Sequence, residues 1–99
     1  MEGRGIMARM AGIADLQDSA LWGDEVAAFE LAMCHASGSG GLPMDLVQAH
    51  CWFNVAAAHG YGPAAAWRTE IAGEMTARQV ADAQKMARAM LAQGMPRAA

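Results

Sequence analysis

The large apolar side chains of this chain are separated by alanines at helical intervals, most plainly at Val47, Ala49, Trp52, Phe53, Ala56 and Ala57. A ring carried at such spacing nests over an alanine of a neighbouring helix, which lets the two axes approach closely. Alanine is the commonest residue, and Val, Ile and Thr are scarce. The backbone is therefore biased toward helix and away from the pleated sheet that β-branched side chains favour. No segment alternates apolar and polar residues as a half-buried strand does. The predicted fold class is all-α.

Glycine, proline and capping residues divide the chain. Gly23 closes a short apolar stretch over 14–22, and Asp24 caps a helix running to about 37. That helix carries Val26, Ala27, Phe29, Leu31, Ala32 and Met33 as its apolar positions. The segment Gly38-Ser39-Gly40-Gly41-Leu42-Pro43-Met44 breaks it, because glycine loses backbone entropy on ordering and Pro43 lacks a donor. Asp45 caps a second helix, 46 to about 59, with Gly60 placed for a left-handed end. Pro63 suits the first turn of a third helix, 64 to about 73. Thr76 and Gln79 form a capping box for a fourth, 77 to about 92, closed by Gly94 and Pro96. Its apolar side carries Val80, Ala83, Ala87, Met90 and Leu91; its polar side carries Arg78, Asp82 and Lys85 at ion-pair spacing.

Size and charge restrict the function classes. A chain of 99 residues and 10.4 kDa supports one small domain. An excess of three carboxylates and a pI near 5.4 argue against a nucleic-acid or anionic-membrane coat. The 55% apolar fraction argues against general disorder. No apolar run approaches the roughly 20 residues of a bilayer span. After Arg4 and Arg9 there is no uninterrupted apolar stretch of a secretory type, so a cytoplasmic location is expected. Two cysteines, Cys34 and Cys51, make no disulfide framework there.

The residues from 24 to about 91 resemble a family. Leu31-Ala32, His35, Gly38, Gly40, Asp45, Ala49, Trp52-Phe53, Ala56-Ala57 and Gly60 follow the order of a Sel1-like repeat, a relative of the tetratricopeptide repeat. Met75-Thr76 and Ala81-Asp82-Ala83-Gln84 resemble the segment after the last repeat in many bacterial Sel1-like proteins. Three departures stand out. Ala32 replaces the usual glycine, His35 replaces the usual tyrosine, and the 38–45 loop is one residue longer than usual. The resemblance implies a right-handed αα superhelix of about two hairpins, used as an adaptor for protein partners and not for catalysis. In this reading 1–13 is a flexible N-terminus. Residues 14–93 are the repeat domain, with one repeat at about 24–60 and a terminal hairpin at 63–92, and 94–99 is a frayed tail.

Short repeat arrays bury too little apolar surface by themselves. Leu21, Trp22, Val26 and Phe29 lie where a preceding repeat would stack, so this face is expected to be closed by the 14–22 segment or by a second copy of the chain. Charge is uneven as well. No Lys or Arg lies between Met10 and Trp67, whereas Asp15, Asp18, Asp24, Glu25, Glu30 and Asp45 do. An acidic front of this kind selects a basic partner or the basic rear of another copy; carboxylates near helix N-termini are equally favoured by the macrodipole.

Four groups of residues could in principle carry chemistry. Cys34-His35 and His50-Cys51 mirror one another and contain the groups of a Cys2His2 zinc site. Adjacent helical residues point about 100° apart, however, which works against convergence of both pairs. The Gly38-to-Gly41 loop lacks the Lys-Ser/Thr of a phosphate-binding loop and follows a helix, so it reads as a turn. His59 and Tyr61 flank Gly60 with no nucleophile in fixed relation to them. Met10, Met33, Met44, Met86 and Met90 offer an adaptable surface or core filler.

The reading that results is a small, non-enzymatic adaptor with no cofactor. It binds an unidentified protein or peptide through Phe29, Glu30, Met33 and Ser37 on the first helix of the repeat, with neither nucleic acid nor membrane as partner. One alternative is a metal- or thiol-dependent enzyme or sensor using Cys34, His35, His50 and Cys51. The other is a structural fragment that self-associates through Leu21, Trp22, Val26 and Phe29.

Overall fold

The computed structural model describes residues 12 and 14–93, and among them every regular element is a helix. Helix α1 covers 14–21. Then come α2 (Glu25–Ser37), α3 (Leu46–Ala58), α4 (Pro63–Ala72) and α5 (Ala77–Gln93). The expected flexible start (1–13) and frayed tail (94–99) lie outside the described residues, apart from position 12.

Local chemistry sets each boundary. Asp24 Oδ1 accepts from the backbone N–H groups of Val26 and Ala27, both at 3.0 Å, satisfying donors that a helix start leaves unpaired. At the other end of α2, Gly38 takes φ 71° and its N–H donates to the Cys34 carbonyl at 2.8 Å. A Cβ added at Gly38 would lie 3.2 Å from the Met44 nitrogen, so the loop backbone would have to give by a few tenths of an ångström to admit a side chain. The N–H of Asp45 donates to the His35 carbonyl at 2.9 Å, tying the loop back to α2. The Asp45 carboxylate accepts from the Gln48 N–H at 3.1 Å and starts α3. Pro63 occupies the first turn of α4. The capping box of α5 is complete: the Thr76 N–H donates to Gln79 Oε1 at 2.9 Å and the Gln79 N–H donates to Thr76 Oγ1 at 3.0 Å.

Helix α3 is the centre of the molecule. Ala49, His50, Cys51, Trp52, Phe53, Val55 and Ala56 are all buried, so this helix is covered on nearly every side. It packs against α2, α4 and α5, and α4 and α5 each meet α3 far more than they meet one another. The second pair of helices is thus held through α3. Alanines make this possible: Ala20, Ala28, Ala32, Ala49, Ala56, Ala64 and Ala83 are fully buried and lie on five different helices. Leu31 and Phe53 are the largest apolar side chains with no exposure. Each stabilises the fold by about 1.5–3 kcal/mol through burial alone.

Helix α5 presents Ala83 and Ala87 to α3, with Val80, Met86 and Met90 half-buried beside them. Leu91, expected on this apolar side, is 36% exposed. The contact stripe of α5 is narrow because its central residues are alanines, and a residue at its edge stays at the rim.

Candidate functional site

Two surface features combine polar and apolar groups. The first lies along α2. Val26, Glu30, Met33 and Ser37 recur at intervals of four, three and four residues, which places them on one face of the helix. Val26, Glu30 and Ser37 are exposed, and Met33 is half-buried against the core. Ser37 Oγ donates to the Met33 carbonyl at 2.9 Å and lies 2.8 Å from Ser39 Oγ, so the C-terminal end of the strip is held in a fixed hydroxyl pair. At the N-terminal end the strip runs into a groove of about 470 Å³ between α1 and α2. Leu16 and Val26 supply its apolar wall, and Asp15, Asp24 and Glu30 supply carboxylates.

Of the four residues expected to bind a partner, Glu30, Met33 and Ser37 share this strip. Phe29 is turned aside. Its ring lies 4.8 Å from that of Tyr61 and 5.7 Å from that of Phe53, and Phe53 stacks in turn on Trp67 at 6.4 Å and 14°. These aromatics form a row across α2, α3 and α4 that fixes the angle at which α2 presents its strip. Such pairs contribute on the order of 1 kcal/mol each beyond burial. The roles of Tyr61, in the α3–α4 turn, and of Trp67, within α4, depend on partners distant in sequence and leave no local signal.

The face where a preceding repeat would stack is covered in part. Leu16 and Ala20 of α1 pack against the core, while Leu21, Trp22 and Val26 remain 39%, 61% and 46% exposed.

The second feature is a cleft of about 550 Å³ between α3, α4 and α5. Arg68 Nη1 donates to Asn54 Oδ1 at 2.6 Å, and Asn54 Nδ2 sits 3.5 Å from His50 Nδ1. Because the amide oxygen serves the arginine, the amide nitrogen faces His50, and His50 Nδ1 is left as the acceptor. Burial, and then the nearby Arg68 charge, hold the His50 pKa below its usual value of 6.5.

The cysteine–histidine constellation does not converge. Cys51 Sγ points to Met90 Sδ on α5 at 3.6 Å, and His50 faces Asn54 on its own helix. His35 is buried, and its Nδ1 has no hydrogen-bond partner. Among the described residues no three His, Cys, Asp or Glu side chains are grouped to hold a metal ion. Burial raises the Cys51 thiol to about 11 and keeps it protonated at neutral pH. Among the same residues no helix is long and apolar enough to cross a membrane.

Fold and surface together define a small all-helical protein organised on one buried central helix, with an acidic-apolar strip on one side and an arginine-lined cleft elsewhere. No protein-family model matches the chain, and neither does any curated protein or solved structure.

Proposed function

We propose that this chain is a short αα-repeat module of the Sel1-like kind whose α2 face binds a protein partner. The observation that carries the reading is the strip Val26–Glu30–Met33–Ser37, continuous with the α1–α2 groove. Leu16 and Val26 offer apolar contact, Met33 an adaptable anchor, and Asp15, Asp24 and Glu30 a negative rim. The partner segment that fits is a helix or extended peptide with apolar anchors and Lys or Arg on its flanks. The order of caps from Asp24 to Gly60, with Trp52, Phe53 and Ala56 at buried positions, supports the repeat assignment.

The test is capture of partners from the source cell. Glu30→Lys abolishes capture while helicity and melting stay unchanged, because Glu30 is exposed; Met33→Asp abolishes capture too, with some loss of stability because Met33 packs against the core. Retained capture in both variants relocates the binding face. A second reading, self-association, is favoured by the exposure of Leu21, Trp22 and Val26. It requires a particle size that grows with concentration and responds to salt, together with a blue-shifted Trp22 emission; a monomer at high concentration eliminates it.

A further inference from the structure

We infer that the cleft between α3, α4 and α5 is a binding site for a small, doubly charged oxyanion, a phosphate or a dicarboxylate. Two guanidinium groups, Arg68 and Arg88, line the same cleft, and no Asp or Glu lines it with them. Among the described residues Arg78 pairs with Asp82, whereas no ion pair joins either cleft arginine to a carboxylate.

Arg68 is held in place. Its Nη1 is fixed on Asn54 Oδ1 at 2.6 Å, which leaves the other N–H groups of the fork to serve a ligand. Asn54 is itself oriented toward buried His50, so the guanidinium is positioned before any ligand arrives. Arg88 and Gln84 stand one turn apart on α5 and add a second cation and a neutral amide at the rim. Ala57 and Ala87 leave the floor open where larger side chains would fill it. The resulting space, about 550 Å³, falls within the range of small-molecule sites. Planar forks of this kind match the geometry of carboxylate and phosphate oxygens. The site shares no residue with the α2 strip, so it stands independently of the partner-binding proposal.

The full chain is titrated calorimetrically with sodium phosphate and, separately, sodium succinate at about neutral pH, with ionic strength held constant by chloride. Saturable binding of either anion, absent with acetate, supports the site, and the better of the two identifies the oxyanion class. Arg88→Gln, on an exposed position that leaves the helix intact, weakens binding about tenfold, the loss expected for one charge-assisted contact. Arg68→Lys keeps the charge, loses the fork, and weakens binding as well. No saturable response to phosphate or succinate, or equal affinity in the wild type and Arg88→Gln, overturns the proposal.

Discussion

The Asn54 side chain joins Arg68 to His50: its oxygen accepts from the guanidinium at 2.6 Å, and its nitrogen faces the imidazole Nδ1 at 3.5 Å. The residues come from α3 and α4, and they place the Arg68 charge near a histidine that is 2% exposed, where burial first and that charge second favour the neutral ring. A doubly protonated imidazole would turn an N–H toward the Asn54 amide hydrogens and add a positive charge beside Arg68.

His50 therefore makes stability depend on pH in one direction. Its folded pKa lies below 6.5, so the unfolded chain binds the proton more readily. The contribution is fully present above 6.5 and is lost as pH falls through that value toward the folded pKa. One such group lowers stability by at most about 1.4 kcal/mol per pH unit. Imidazole NMR should show His50 still neutral at pH values where an ordinary histidine is half-protonated. Titration at or above 6.5 contradicts the assignment.

The orphaned Nδ1 of His35 costs stability. A buried acceptor without a partner is worth about 1–3 kcal/mol of lost solvation. His35→Phe keeps an aromatic of similar size and removes that atom, so it is expected to raise stability by about 1 kcal/mol. Urea unfolding reads the change. A fall of the same size would mean that His35 has a partner the structure does not reveal.

The two cysteines should separate by reactivity. Cys51 is fully buried with its thiol raised to about 11, whereas Cys34 is only partly buried. At about pH 8, two units of pKa reduce the thiolate of Cys51 about a hundredfold, before burial slows access further. In a Cys34→Ser variant, a thiol reagent should label the native protein only at the rate of unfolding. Fast labelling of Cys51 rules out the packing against Met90.

Gly38 and Gly41 both take positive φ, 71° and 85°, yet only Gly38 has a close neighbour. An alanine at either position costs about 1–2 kcal/mol for the left-handed backbone. Gly38→Ala adds the approach to Met44, so it should destabilise more than Gly41→Ala. Equal losses in thermal unfolding would remove the steric part of the argument.

The helices were legible because their boundaries are local. Asp24, Asp45 and the Thr76–Gln79 pair act on N–H groups within three residues, and Gly38 and Gly60 mark turns by backbone freedom alone. The burial of Trp52, Phe53 and Ala56 followed from their spacing. The rest depends on distant partners. Nothing near Arg68 in sequence announces Asn54, fourteen residues earlier, and nothing near Phe29 announces Tyr61. The choice of α3 as the hub for α4 and α5 is of the same kind, since it depends on which alanine faces meet. Helical spacing alone does not distinguish Phe29 from its neighbour Glu30, about 100° away at the edge of an apolar face, so the sequence leaves both on the binding surface.

Site-specific photo-crosslinking tests the α2 strip most directly. A photoreactive side chain replaces exposed Ser37, or in a control replaces exposed Arg78 on α5. In the source cell, the Ser37 derivative should form a covalent adduct with a protein rich in Lys or Arg at the crosslinked segment, and the Arg78 control should not. Adducts from Arg78 with none from Ser37 would contradict the assignment of α2 as the binding face.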